Sequence, residues 1–155
     1  MTQARLDVLA IGDAVVDVIA RADDSFLEEE GLVKGSMQVL DADGATRLYA
    51  RMRQARETSG GSAANTMAGL AALGGKAAFV GQVADDQLGE IFTHDIRARG
   101  VEFVPPPRAD GLPTGRCLIL ATPNAQRRMN TFPGPTHELS ADALDPDQIQ
   151  DAAIL

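Results

Sequence analysis

Aromatic side chains, thiols and basic charge are all scarce in this sequence. Five Phe, one Tyr and no Trp occur among 155 residues. That is too few to build the stacking platforms on which single-stranded nucleic acids are held. The single cysteine, Cys117, excludes an intramolecular disulfide framework and a Cys-rich zinc site. It suits a reducing compartment, so a cytoplasmic location is expected. Fourteen Lys and Arg stand against 22 Asp and Glu, a formal net charge of -8. Such a balance repels a long phosphate backbone but leaves room for a small phosphorylated ligand, which needs only a few local cations or amides.

No apolar run approaches a membrane span, since the stretch from Ala14 to Ala20 is broken by Asp17. Met1 to Ala10 lacks the basic start, apolar middle and cleavage site of a secretory signal. Neither a nucleic acid nor a membrane is therefore expected as a partner. His94 and His137 have no suitably spaced partners, so no metal site is expected. There is no Gly-x-x-x-x-Gly-Lys-Ser/Thr loop and no three-glycine dinucleotide fingerprint.

What remains is 45% hydrophobic and 23% charged, the composition of an ordinary globular chain long enough to bury one core. Leu6 to Ile11 is a nearly continuous apolar run, as in a strand buried on both faces. Val15 to Ala20 resumes the extended pattern after Gly12-Asp13. Asp24 to Glu30 reads as a short acidic helix stopped by Gly31, and Gly35 to Leu40 as a short strand. Asp41 or Asp43 caps a helix whose Ala45, Leu48, Tyr49 and Met52 form one stripe. Glu57 to Ser59 is a brief extended piece.

Ser62 to Leu73 is a small-residue helix, and Lys76 to Val83 a strand. Asp85-Asp86 opens a helix with Leu88, Ile91, Phe92 and Ile96 on one face. Val101 to Val104 is a strand, halted by a rigid loop at Pro105 to Pro107. Arg116 to Thr122 and Arg127 to Phe132 form a hairpin about Pro123-Asn124. A last short helix starts at Asp145-Pro146, and Ala152 to Leu155 begins another strand. The alternation predicts an α/β domain with a mostly parallel sheet.

Two places carry chemistry. Gly60-Gly61-Ser62-Ala63-Ala64-Asn65 joins a strand to a helix. Paired glycines let backbone amides approach a ligand closely, and the helix start adds free N–H donors. Asn65, in the first turn, offers a donor and an acceptor, which suits a polyhydroxyl ligand such as a ribose. Gly12-Asp13 followed by Asp17 places a carboxylate inside an apolar strand, where it must be solvated, paired or bound to something. Two carboxylate oxygens can accept from two vicinal hydroxyls. Taken alone, each place also reads as a tight turn or a locally paired aspartate. Cys117, mid-strand, reads as a core thiol, and Asp85-Asp86 as a solvated face or helix start.

The run from Gly60 to Gly89, GGSAANTMAGLAALGGKAAFVGQVADDQLG, resembles the first signature of the ribokinase (pfkB) family of sugar and nucleoside kinases. The opening from Leu6 to Asp13 with Asp17 resembles that family's first strand, and Pro113-Thr114-Gly115 also fits. Gln38-Val39-Leu40 with the helix that follows, and Gly60-Gly61-Ser62, bring the adenosine kinase branch nearest. Met67 departs from the small residue common at that position.

The resemblance implies a three-layer α/β ribokinase-like fold with a mostly parallel central sheet and a small β-lid, truncated on its C-terminal side. The lid is expected from Val15 to Ala20, Met37 to Leu40 and the 116–132 hairpin. Residues 1–155 would then be the substrate-binding and lid portion of a kinase. The intact enzyme is expected to use ATP and Mg2+ to phosphorylate the 5′-hydroxyl of adenosine. Asp17 would bind the ribose hydroxyls, with Gly60, Gly61 and Asn65 beside it. Asp13, Ser62, Val15, Val39 and Leu40 would line the pocket, and Arg127 would reach the transferred phosphate, where a fixed cation is apt.

The family's catalytic aspartate lies in a Gly-Ala-Gly-Asp motif of the C-terminal half, and this sequence has no such motif. The chain alone is accordingly expected to be inactive and to bind no cofactor. A sugar kinase for ribose or fructose is the alternative within the class. Outside it stands a non-catalytic ligand-binding or interaction fragment, which would associate with the missing half or with itself through an exposed sheet edge.

Overall fold

A computed structural model describes residues 5–104 and 110–155. The loop expected at Pro105 to Pro107 lies outside the described residues. Two sheets share the chain. The first holds four parallel strands in the order β6-β5-β1-β9, with β1 at Leu6–Ile11, β5 at Ala77–Val80, β6 at Glu102–Val104 and β9 at Ala152–Ile154.

A parallel sheet needs cover on both faces, and the sequence of β5 shows how it is supplied. Ala77 and Phe79 enter one apolar cluster, whereas Ala78 and Val80 enter another. On the first face pack helices α3 (Ser62–Ala72) and α4 (Gln87–Ala98), through Ala64, Met67, Leu88, Phe92 and Ile96. Phe79, Phe92 and Phe103 meet there with ring centroids 5.2–6.0 Å apart. On the second face Leu139, Leu144 and Ile149 pack against Leu6, Leu9, Ala78 and Val80. Leu139 and Leu144 directly follow two helical turns (Gly134–Glu138, Ala141–Ala143), and Ile149 belongs to helix α5 (Pro146–Gln150). The result is the expected three layers.

Helix α1 (Asp24–Glu29) is capped by Asp23, α2 (Ala42–Arg51) by Asp41, α4 by Asp86 and α5 by Asp145, each accepting a backbone N–H of its first turn. Helix α3 differs: its N-cap is Gly61, with no side chain to satisfy the first amides.

The second sheet has the order β3-β8-β7-β2-β4. It comprises β2 (Val15–Arg21), β3 (Met37–Val39), β4 (Arg56–Gly60), β7 (Gly115–Ala121) and β8 (Arg127–Phe132). It is mixed, with β2 parallel to β7 and antiparallel to β4. Here the lid expected from three segments is corrected: β4 joins it as a fifth strand and one edge. Its sequence, RETSG, has no apolar alternation, because its side chains are held by hydrogen bonds to α4 rather than by burial in oil-like surroundings. The strand expected over Lys76 to Val83 ends early, at Val80.

Candidate functional site

Register fixes which side chains share a face of the lid. Val15, Asp17 and Ile19 on β2 stand opposite Gly115, Cys117 and Ile119 on β7, and Val15 and Asp17 stand opposite Gly60 and Thr58 on β4. The alternate residues Val16, Val18 and Leu118 turn the other way, into the main core. One row of register partners crosses the whole lid: Val39, Thr131, Cys117, Asp17 and Thr58.

Asp17 is half-buried in this row, and a methyl group on Gly60 would overlap its carboxylate. Glycine at position 60 is therefore what lets the acid lie against the backbone of β4. Burial pushes the Asp17 carboxyl above the ordinary carboxylate range. Among the described residues nothing donates a hydrogen bond to it. A half-buried acid with no donor from the protein is free to accept from water or from the hydroxyls of a ligand.

Gly61 turns the chain from β4 into α3 with φ 95°, and a methyl there would overlap the Asp13 carbonyl oxygen while approaching Val15. Gly12 is equally tight, since a Cβ on it would lie 2.8 Å from Ala63. The two glycine turns thus press together, bringing Asp13, Val15, Asp17, Gly60 and Gly61 to one spot at the open end of α3. Ser62 and Asn65 occupy the first turn of that helix with exposed side chains. Asn65 borders a groove shared with Ala68, Gly69, Ala72 and Arg99.

The remaining expected residues are more scattered. Val39 lies on the Asp17 face and is 70% exposed, but three strands away, about 14 Å. Leu40 packs against the main core cluster instead of beside Val39. Arg127 is exposed at the start of β8, opposite Ala121, which in turn faces Arg21. That is four residues along the strands and two strands across from Asp17, about 16 Å. Its neighbour Arg128 is buried and donates to Asn130 Oδ1 at 3.1 Å and to the Val33 carbonyl at 3.2 Å.

Several polar groups that support this region escaped the sequence reading. Asp86 does more than cap α4: it also accepts from the Thr114 amide (2.9 Å) and hydroxyl (2.6 Å), tying the helix to the root of β7. Burial would raise its pKa, but the bonds from Thr114 and Gly89 and the charge of Arg116 outweigh that and hold it low. Arg116 is 6% exposed, lies over the Tyr49 and Phe132 rings at 5.6 and 6.0 Å, and keeps its Nε without a partner. Burial lowers its pKa, opposed by Asp86 and Tyr49. Tyr49 donates to Glu57, the main reason its pKa is pushed up to about 12. Cys117 is buried as expected, yet it shares the Asp17 face and receives the Thr131 hydroxyl at 3.4 Å.

Asp95, on α4, accepts from the Ser59 amide and hydroxyl, both at 2.7 Å, and from the Thr58 hydroxyl at 2.9 Å. Burial alone would raise its pKa, but these bonds and Arg99 bring it down to about 2. The helical period could have flagged it, since Asp95 follows Phe92 by three and borders the buried stripe. A carboxylate with a depressed pKa stabilises the fold above its unfolded value of 3.8 and loses that contribution as pH falls through about 2. Thermal melts between pH 4 and pH 2 should therefore show a falling Tm, and Asp95→Asn should flatten that slope.

Among the described residues no helix is long and apolar enough to cross a membrane. No group of three or more His, Cys, Asp or Glu among them could hold a metal ion.

Comparison with known proteins bears on the family and the fold. Residues 5–155 match the family model described as pfkB family carbohydrate kinase. Adenosine kinase from Sinorhizobium meliloti superposes with a TM-score of 0.83 at 55% identity, over 96% of this chain and 46% of that one. A probable sugar kinase protein from Rhizobium etli CFN 42 gives 0.84 at 49% identity, over 96% and 45%. Guanosine-inosine kinase from Escherichia coli K12 is 28% identical across 96% of this chain and 36% of its own length. The chain thus spans under half the length of these relatives.

Proposed function

This chain belongs to the pfkB carbohydrate kinase family, and from that premise we propose that it holds the hydroxyl-bearing acceptor of an ATP-dependent phosphoryl transfer, with adenosine as the favoured acceptor. The observation that carries this reading is the half-buried Asp17 carboxylate, without a donor, lying against Gly60 beside the uncapped start of α3.

In the proposed complex Asp17 accepts from the two vicinal ribose hydroxyls. The Gly61 backbone and the Asn65 amide bind the same sugar, with Asp13 and Ser62 at its margin. Val15 and Val39 offer apolar surface on the lid face, and Leu40 supports that surface from the core side. A lid so placed excludes water, the competing phosphoryl acceptor. Arg127 is proposed as a contact for a phosphate carried toward the Ala121 end of the lid.

ATP, with magnesium, supplies the γ-phosphoryl group: its bond to the ADP oxygen breaks and a bond to the substrate hydroxyl forms. The proton leaving that hydroxyl goes to a base that we do not assign within residues 1–155, where the Gly-Ala-Gly-Asp motif is absent. What this chain contributes is position, which is the larger part of catalysis in phosphoryl transfer.

Nucleoside preference draws support from the adenosine kinase and guanosine-inosine kinase likenesses. The Rhizobium etli likeness supports a simple sugar instead. Calorimetric titration separates the two. Adenosine is expected to bind saturably and more tightly than ribose or fructose, whereas tighter binding of either sugar would reverse the assignment. No binding of any of them at millimolar concentration would remove the site altogether. With adenosine and MgATP, the 155 residues alone are expected to make no AMP above background.

A further inference from the structure

The surroundings of Asp17 have one side that is not self-supporting. Strand β4 is the edge of the lid sheet, paired only with β2, and its RETSG sequence buries little apolar surface. Yet β4 supplies two neighbours of the acid: Thr58, its register partner on that side, and Gly60, against which its carboxylate lies, while Cys117 on β7 stands on the other side. An edge strand so poor in apolar contacts frays unless something else holds it.

We propose that Asp95 is a positioning residue for the acceptor site, holding β4 in the place where Thr58 and Gly60 wall in Asp17. One oxygen, Oδ2, gathers the Ser59 amide, the Ser59 hydroxyl and the Thr58 hydroxyl at 2.7–2.9 Å, and Arg99 Nε reaches it at 3.2 Å. Arg99 also donates to Thr58 Oγ1 at 2.8 Å, closing a ring of three side chains. Ser59, the residue immediately before Gly60-Gly61, is buried, so its hydroxyl has no water to fall back on if Asp95 is removed. The grip is applied one residue from the turn that opens α3 and directly across β4 from Asp17.

The far end of the same helix is fixed as well, by Asp86 on Thr114. Asp86 and Asp95 lie nine residues apart, about 13.5 Å along a helix. Helix α4 therefore fastens β4 and β7, the two strands that flank β2, and Asp17 sits on the strand between them. Asp95 touches no ligand in this arrangement; it acts through the strand.

The inference rests on the reading of Asp17 as the acceptor-binding group, and its test separates the two. The carboxyl titration of Asp17 is followed by NMR in wild type, Asp95→Asn and Asp95→Ala, alongside adenosine affinity. In wild type the Asp17 titration is expected above the ordinary carboxylate range, because burial raises it. In Asp95→Ala it is expected to move back toward that range as β4 draws away, with adenosine affinity falling about tenfold or more. Asp95→Asn, which keeps one acceptor oxygen, should lie between. Ile96→Val, a buried neighbour trimmed by one methyl, should lower Tm while leaving the Asp17 titration where it was. An unchanged Asp17 titration in folded Asp95→Ala overturns the inference, and Asp95→Asn decides the matter if the alanine variant does not fold. Should wild type bind no adenosine while the titration responds as stated, the positioning role stands and the substrate reading falls.

Discussion

Asp17→Asn is expected to make the chain more stable at neutral pH while destroying its affinity for nucleoside. Burial raises the pKa of Asp17 and no donor compensates. A group raised in this way contributes stability below its unfolded pKa of 3.8, and that contribution is lost as pH climbs through the folded value. At pH 7 the ionised acid is thus a burden on the fold, which a neutral amide of the same shape removes. Tm should rise. The advantage should vanish below about pH 4, where the wild-type acid is itself protonated. Binding moves the other way: two charge-assisted hydrogen bonds to ribose hydroxyls weaken, a loss of about 100-fold or more. Differential scanning calorimetry and adenosine titration read the two effects on one preparation. A lower Tm, or affinity within about threefold of wild type, would remove Asp17 from the role assigned to it.

Gly61→Ala is expected to act on fold and site together. The backbone at 61 has φ 95°, a conformation side chains rarely adopt, and the added methyl meets the Asp13 carbonyl. Backbone strain of about 1–3 kcal/mol adds to the displacement of the Gly12-Asp13 turn. For a domain of this size Tm should fall by roughly 5–10 °C. The displaced turn carries Asp13 and the start of β2, so acceptor binding should be lost even where the variant remains folded. Gly69→Ala is the natural control on the same helix: nothing lies within 4 Å of its added carbon and its φ is ordinary. That change should be neutral or gain about 0.4–1 kcal/mol. Similar melts for the two variants would show that the close approach at Gly61 does not matter.

The parts of the molecule that could be read from the sequence are those whose signals are local. Leu6 to Ile11, the Leu88-Phe92-Ile96 stripe and the Gly60-Gly61 turn each declare themselves within a few residues and lie where expected, and of the two candidate caps, Asp41 and Asp43, it is Asp41 that caps α2. Strand β4 was legible as a brief extended piece at Glu57 to Ser59, but its place in the lid was not, because a polar strand carries no periodic signal and its partners are Asp95 on a helix 36 residues away and β2 across the sheet. Val39 and Leu40 illustrate a second limit: Val39 ends β3 exposed on the lid face, whereas Leu40, just past the strand, packs against the main core. Arg116 looks in sequence like any charged residue opening a strand, and only the packing of Tyr49 and Phe132 around it shows that it is buried.

The double fastening of α4 governs how this molecule can be recombined. Asp86 with Thr114, and Asp95 with Ser59, are pairs whose members lie on different segments of the chain. A chimera that transplants the five lid strands from a relative while keeping the native α4 would separate both pairs and leave carboxylates and hydroxyls stranded at the seam. Exchange should succeed only when α4 travels with the strands it clasps, which makes the helix, for anyone grafting new specificity, part of the flap.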